Sequence, residues 1–406
     1  MIPRKRIDIG WADLASGMLA CVTPGDVTRA AALVESAWHT VRGNLACLSV
    51  RSGVDALLEV LQLPAGSEVL VSAVTIRDMT HIVEAHGLIA VPVDVDPQTL
   101  AVSRACLERA FTPRARVLLI AHLYGSRMPM RDCVQFCDKN QLLLIEDCAQ
   151  AYTGDGWRGD SASDVCLFSF GPIKTATALG GAVMTFRDEA LRDRVQAQMA
   201  HWPLQQRRRY FARLLKYAVF VLLSYRPVYT LFAGLLKLIG ATPDQLLATA
   251  VSGFAGGELF KKIHHRPSLP LLAVMRRRIS QGLQTSVVRR CARARQLAHL
   301  LPALKRPGLL ASWHSYWVYP VTHPRRDAFI AHLQARGFDA TCKASSMTVI
   351  AAPGGMALPQ SKPAYAFNEL CYLPVHEGMS EDDIERLAAA VREFDAVAIV
   401  GNWRAA

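Results

Sequence analysis

An aspartate and a lysine, Asp147 and Lys174, carry most of the chemistry this sequence can offer. Asp147 closes the apolar run QLLLIED at 141–147, and Lys174 stands in the turn after VCLFSF at 165–170. A lysine captures an aldehyde cofactor as a Schiff base when a partly desolvated pocket lowers its pKa. Such a cofactor also needs a carboxylate facing its pyridinium nitrogen before the ring can act as an electron sink. Two adjacent strand ends can supply both groups. Taken alone, the pair is better explained by a helix-capping acid and a solvated loop lysine, since both are common. The surrounding sequence reverses that preference.

The elements that must position the pair are short β-branched runs: EVLVSAVTI at 68–76, LIAVPVDVD at 88–96, RVLLIAHLYG at 116–125, QLLLIED, VCLFSF and GGAVMTF at 180–186. Helix-like stretches such as GVDALLEVL and MRDCVQFCDKN fall between several of them. Continuous apolar strands alternating with helices predict an α/β fold with a mostly parallel sheet covered on both faces. In such sheets the chemistry gathers beyond the carboxyl ends of the strands, which here are Thr75, His122, Asp147 and, one turn on, Lys174.

The 406 residues are 51% hydrophobic and 20% charged, which excludes a disordered tail, a collagen-like fibre or a disulfide-stapled mini-protein. A net charge of +12 suggests an anionic partner. The ten cysteines are scattered and frame no zinc site, and Cys133 and Cys137 read as core thiols on a helix. The opening residues reach Asp8 and Asp13 before any apolar run forms, so they do not read as a signal peptide, and a cytoplasmic location is expected.

Five segments in order make the chain similar to the DegT/StrS family of sugar aminotransferases, which depend on pyridoxal 5'-phosphate (PLP) and have fold type I. RSGVDALLEVL at 51–61 resembles the family's SGTxAL phosphate loop, IEDCAQA at 145–151 its IEDAAQA, and FSFGPIK at 168–174 its lysine-bearing FSFxPxK. GGAVMTF resembles GGAVVT, and LPVHEGMSEDDIERL at 373–387 resembles LPLHPGLTEEDI. The resemblance implies that Lys174 binds the cofactor aldehyde and then moves the substrate proton, that Asp147 holds the pyridine nitrogen protonated, and that Gln150 lies close to the ring or its phenolic oxygen. It also implies that Ser169 and the backbone around Gly53, Val54 and Asp55 bind the phosphate. A glycine turn opening a helix would support that role, although Ser52 and Gly53 alone suit an ordinary N-cap and Asp55 a first-turn dipole partner.

The sequence also departs from the family. Ile76 stands where an aromatic residue usually stacks on the ring, and Val54 replaces a threonine. HHRPS at 264–268 occupies the place of NxRxS, whose asparagine reaches the phosphate of a neighbouring subunit, with His264 the nearest candidate here. The segment at 340–355 lacks the family's HYxPLH substrate motif, which puts the usual nucleotide-sugar substrate in question.

From Arg194 to Pro243 there are eight basic residues and no acidic one. Within this stretch, YAVFVLLSYRPVYTLFAGLL at 217–236 is apolar except at Arg226 and Pro227. A spanning helix would bury that arginine at about 2.5–3.5 kcal/mol. Two short helices bent at Pro227 and lying in a membrane interface are more natural, with a subunit interface or a buried pair as the alternative. A second basic stretch at 275–295 reads as a solvated face of one long connecting helix and not as a nucleic-acid site.

The expected organisation is a PLP-binding α/β domain over 1–200, the apolar basic insertion over 201–260, a connecting helix over 261–300 and a small α+β domain over 301–406. The expected activity is amino transfer by a homodimer from an amino acid donor to a keto-sugar or related carbonyl acceptor in polysaccharide or glycolipid biosynthesis, and the insertion alone motivates a lipid-linked acceptor. It would be peripheral on the cytoplasmic face of a membrane through 207–240 and would bind neither metal nor nucleic acid. Two rival expectations stay open: another PLP reaction on the same scaffold, and an inactive membrane-bound binding protein.

Overall fold

The computed structural model describes residues 1–238, 258–281, 284–342, 346–351 and 369–403. Two helices open the chain, α1 (Trp11–Val22) and α2 (Val27–Ala37). Strands and helices then alternate: β1 (Gly43–Cys47), α3 (Val50–Leu61), β2 (Glu68–Ser72), β3 (Val74–Ile76), α4 (Arg77–Ala85), β4 (Ile89–Val93), α5 (Arg104–Ala110), β5 (Ala115–Ala121), α6 (Arg131–Asn140), β6 (Leu143–Asp147), β7 (Val165–Ser169) and β8 (Ala182–Phe186). Helices α7 (Glu189–Ala200), α8 (Arg207–Leu223), α9 (Arg226–Leu238), α10 (Leu259–Ile263), α11 (Leu269–Ser280) and α12 (Gln284–Leu300) follow. The last described elements are β9 (Tyr319–Thr322), α13 (Arg326–Ala335), β10 (Met347–Val349), β11 (Leu370–Leu373) and α14 (Glu381–Trp403).

Seven strands form one sheet in the order β1-β8-β7-β6-β5-β2-β4. The five strands from β7 to β4 run parallel, and β8 lies antiparallel to both β7 and β1. The predicted α/β class therefore holds. The central strands are apolar throughout because helices cover both of their faces. Leu57 on α3 and Ile82 on α4 pack on one side, while Leu107 on α5 and Phe136 on α6 pack on the other. A third core gathers Trp38, Phe168, Phe170, Tyr210 and Leu271, so α8 and α11 are built onto the face of β1, β8 and β7 opposite α3.

Several expectations change. EVLVSAVTI is two strands: β2 stays in the sheet, and after Ala73 the chain turns into β3, which pairs with β10. β1 was not foreseen, because GNLAC is short and carries a polar residue. The single connecting helix is two, α11 and α12, and only part of its basic stretch is a solvated face: Arg276, Arg289 and Arg295 are exposed, while other arginines are engaged. Arg277 and Arg278 bond Asp13, buried Arg290 donates to the Ser315 carbonyl, and Arg293 pairs with Glu381.

The last core joins Leu297 of α12, Phe329 and Leu333 of α13, and Leu387 of α14 around the β9–β11 pair. Ile2 belongs to it as well. Its N–H donates to the Gly337 carbonyl (2.7 Å), and its carbonyl accepts from Asp339 (3.0 Å). The first residues thus cross from the small C-terminal core to the large sheet and pass the cavity on the way.

In the insertion, α8 and α9 meet at 96°, and no single helix among the described residues is long and apolar enough to cross a membrane. The break falls at Ser224 and Tyr225, just before Pro227, which sits in the first turn of α9 where its missing N–H costs nothing. Arg226 turns to Asp383 (3.2 Å), and the Tyr229 hydroxyl donates to Asp339 (2.5 Å). One face of the pair is therefore core. Residues 239–257 of the insertion, and 343–345 and 352–355 of the segment compared with the substrate motif, lie outside the described residues.

Candidate active site

Lys174 stands in the turn that leaves β7. The Gly171 N–H donates to Ser169 Oγ (3.2 Å), and the Lys174 N–H donates to the Gly171 carbonyl (3.0 Å). The chain then folds back through Ala176 and Leu179, both left-handed (φ 58° and 61°), at a cost of roughly 1–2 kcal/mol each for a residue with a Cβ. The rest of the structure holds this loop in place. Asp8 accepts from the Ala176 N–H (2.7 Å), the Tyr210 hydroxyl donates to the Ala178 carbonyl (2.7 Å), and Arg213 donates to the Leu179 carbonyl (3.0 Å).

Asp147 ends β6 on the strand next to β7, in register with Leu167. Its Oδ1 accepts from the Ala149 N–H (2.9 Å). Burial pushes the Asp147 carboxyl up, while the Ala149 N–H and the Lys174 charge oppose it. Burial lowers Lys174 to about 8, with Asp147 opposing and Arg51 adding to the shift. The Lys174 Nζ lies 4.1 Å from the centre of the Trp317 ring, and the indole N–H donates to the Ile173 carbonyl (2.8 Å).

Lys174, Asp147, Gln150, Ser169 and Ile76 all line one cavity of about 800 Å³. Gln150 is fixed from both ends: its Oε1 accepts from the Tyr124 N–H (2.8 Å), and its Nε2 donates to Met347 Sδ (3.2 Å). Ile76, at the end of β3, pairs with the same Met347.

The phosphate-loop residues lie elsewhere. Ser49 caps α3, accepting from the Ser52 N–H (3.1 Å), so the helix opens before the glycine and not at it. The Gly53 N–H is spent on the Ser49 carbonyl (3.1 Å), and Val54 is fully buried in the core. Gly53 is small for a packing reason, since a Cβ there would lie 2.4 Å from Met184 Sδ. Asp55 bonds His86 (3.1 Å) and His264 (2.7 Å). None of the three lines the cavity. Ser49, Val50 and Arg51 do, and the amides of Val50 and Arg51 precede the first hydrogen bond inside the helix.

Of the other strand-end residues, Thr75 faces the cavity, whereas His122 is buried against Glu146 (2.7 Å) and accepts from the Met128 N–H (3.1 Å). His122, Glu146 and Cys148 lie close together. Protein donors already fill Glu146, however. Against its burial, His122, the Asp160 N–H and Ser163 hold it at about 2. His264 stacks on Trp202 (4.9 Å) besides bonding Asp55, so His265 is the histidine that faces the cavity.

Residues 28–219 match the model of the DegT/DnrJ/EryC1/StrS aminotransferase family. They are a DegT/DnrJ/EryC1/StrS aminotransferase family domain. The chain is similar to L-glutamine:2-deoxy-scyllo-inosose aminotransferase of Micromonospora echinospora, at 33% identity over 157 residues. That match spans 37% of this chain and 37% of the relative's length. It is also similar to GDP-perosamine synthase of Caulobacter vibrioides, at 25% identity over 86% of this chain and 85% of that protein. Among solved structures, the aminotransferase TlmJ from Streptoalloteichus hindustanus superposes with a TM-score of 0.70 at 20% identity, over 98% of this chain and 100% of that one. The fold is that of the fold type I PLP aminotransferases.

This family domain implies PLP, and its residues fit the group. A desolvated lysine and a buried carboxylate share the cavity, and the opening of α3 with Ser169 offers an anion corner. Trp317, Arg51 and Lys5 are among the cavity residues that sequence reasoning missed. Lys5 donates to the Ile173 carbonyl (2.6 Å), and the only sequence signal for it was the RKR cluster at 4–6. Trp317 lies in SYWVYP, far from Lys174 along the chain, and no periodicity links the two.

Proposed function

We propose that this chain is a PLP-dependent aminotransferase. It would move an amino group from an amino acid donor to the keto carbon of a sugar or related carbonyl compound that is carried on a lipid, in polysaccharide or glycolipid biosynthesis. The burial of Lys174 and Asp147 in one cavity supports the chemistry most directly. When bound, PLP supplies an electron sink that acidifies the carbon bearing the amino group. Lys174, lowered to about 8, is neutral in an appreciable fraction near neutral pH and serves as the base that takes and returns the proton. With the group bound, Asp147 would keep a proton at the pyridine nitrogen, the α3 opening and Ser169 would hold the phosphate, and Gln150 would fix the wall beside the ring.

The membrane part of the reading rests on α8. Its residues fall into three stripes roughly a third of a turn apart. Tyr210, Leu214, Tyr217 and Val221 are buried in the core, a second stripe lines the cavity, and Phe211, Leu215, Val219 and Leu222 stay exposed. Exposed Leu19 and Val22 on neighbouring α1, and Leu231 and Leu235 on α9, add to the outer apolar surface. Arg208 stands at its edge. An apolar face with a cationic rim suits the headgroup region of a bilayer, where each basic residue contributes about 1 kcal/mol. That surface supports reading the protein as peripheral on the cytoplasmic face of a membrane. The family resemblance supports assembly as a homodimer, which light scattering checks.

The test is to incubate wild type and Lys174→Ala with PLP, reduce with borohydride and map the labelled peptide by mass. Wild type is then screened with amino acid donors for keto acid release. Label on Lys174 together with keto acid supports the reading. A folded wild type that fixes no cofactor overturns it.

A further inference from the structure

The cavity is larger than its cofactor corner, and its far wall is α8. Arg209, Arg213, Lys216, Phe220 and Leu223 line it, spaced four, three, four and three residues apart, so they form one helical face that begins in cations and ends in apolar side chains. Among the described residues, nine lysines and arginines line the cavity against two aspartates, Asp147 and Asp339, so its walls carry an excess of positive charge. Asp339 is already taken by Arg4 (2.8 Å), and Arg51 by Asp78 (2.6 Å). No carboxylate pairs with Arg209 or Arg213 among the described residues. Burial, and then Arg213, lower Lys216, so the two cations feel each other. The PLP phosphate does not account for this trio, because its corner lies at Ser49–Arg51 and Ser169.

The geometry points to a carrier subsite on α8, in which Arg209, Arg213 and Lys216 hold a phosphate or diphosphate attached to the acceptor sugar while Phe220 and Leu223 take the start of an apolar chain. The inference rests on reading the Lys174 end as an aminotransferase site. A nucleoside diphosphate shares the anion chemistry, but Phe220 and Leu223 offer no hydrogen-bond group to a ribose or a base. An isoprenoid-type chain leaving past Leu223 reaches the exposed stripe on the same helix, where a bilayer would receive it.

The full chain, loaded with PLP, is titrated with farnesyl diphosphate, UDP and inorganic diphosphate, following tryptophan fluorescence and calorimetric heat. Farnesyl diphosphate should bind at least about tenfold more tightly than the other two, and Arg209→Ala with Lys216→Ala should weaken it by about tenfold or more. Phe220→Gln should weaken farnesyl diphosphate and leave inorganic diphosphate unchanged. Each variant is checked for borohydride-fixed cofactor on Lys174, which reports folding and the aminotransferase site independently of the subsite. UDP binding as tight as farnesyl diphosphate overturns the apolar half of the proposal. Binding insensitive to Arg209 and Lys216, with the cofactor still fixed, overturns all of it. Failure to fix cofactor while diphosphate binding persists overturns the aminotransferase reading and leaves the anion subsite standing.

Discussion

Lys5 and Lys174 bring their ammonium groups to the same indole ring, 4.3 Å and 4.1 Å from the Trp317 centre. Lys5 comes from the first residues of the chain and Lys174 from the turn after β7, and the Ile173 carbonyl accepts from both Lys5 and Trp317. Burial, then Arg290 and Lys174, push Lys5 well below its ordinary value. The site thus holds two desolvated amines, one positioned by its loop for chemistry and one bonded to that loop.

The rate of PLP attachment should rise with pH through about 8, the value to which burial lowers Lys174, and then level off. Only the neutral amine attacks the aldehyde. Stability follows the same sign. Between about 8 and the ordinary 10.5 the unfolded chain binds more protons than the folded one, so stability increases as pH rises through that window. Stopped-flow absorbance across this range checks the rate, and a flat profile contradicts the assignment.

Lys174→Ala should lose transamination by at least about 100-fold, the lower range for a positioned acid–base group. Lys174→Arg should not restore it, because a guanidinium stays protonated and cannot attack. Keto acid release in single turnovers measures both. Substantial activity in either variant would remove Lys174 from the reaction.

Asp55→Asn should leave PLP affinity within about twofold yet lower stability by about 1–3 kcal/mol, because it weakens the bonds to buried-side His86 and His264. Urea unfolding and cofactor titration separate the two effects. A large loss of PLP affinity at unchanged stability would return Asp55 to the phosphate site.

Asp13→Ala should destabilise by about 3 kcal/mol, as expected when a buried ion pair loses one partner. Asp13 bonds the Gly10 N–H (3.0 Å), Arg277 (2.6 Å), Arg278 (2.9 Å) and Gln281 (2.9 Å), tying α1 to α11. Burial raises its pKa, but Arg277, Gly10 and Arg278 together lower it below the ordinary 3.8. Its contribution is therefore present above that value and lost as pH falls through the folded one. Thermal unfolding at neutral and acid pH checks this, with the variant and wild type expected to converge in acid.

Leu215→Glu with Leu222→Glu should release the protein from anionic phosphatidylserine vesicles while leaving cofactor fixation on Lys174 intact, since both side chains are exposed on the outer stripe of α8. Wild-type binding should weaken with salt. Vesicle sedimentation reads both. Wild type that stays in the supernatant at low salt removes the membrane surface from the proposal.

Local signals made much of this protein legible. Apolar runs buried on both faces declare a parallel sheet, because each strand meets helices above and below. IEDCAQA and FSFGPIK place Asp147 and Lys174 at adjacent strand ends, since chain order and strand pairing coincide there. The apolar basic character of the insertion, and a bend near Pro227, could likewise be read residue by residue.

Contacts distant in sequence decided the rest. Ser49 caps α3 ahead of the glycine, and this leaves Gly53, Val54 and Asp55 off the cavity wall while Val50 and Arg51 line it. Trp317 and Lys5 reach Lys174 only because the small C-terminal core and the first residues fold back over the sheet. Two of the three faces of α8 look alike in hydrophobicity, one carrying Tyr210, Leu214, Tyr217 and Val221 and the other Phe211, Leu215, Val219 and Leu222. Packing against Phe168, Phe170 and Leu271 selects which face is core and leaves another to line the cavity. A sequence specifies which side chains a helix offers, but the neighbours that desolvate or expose each face are set by the tertiary fold.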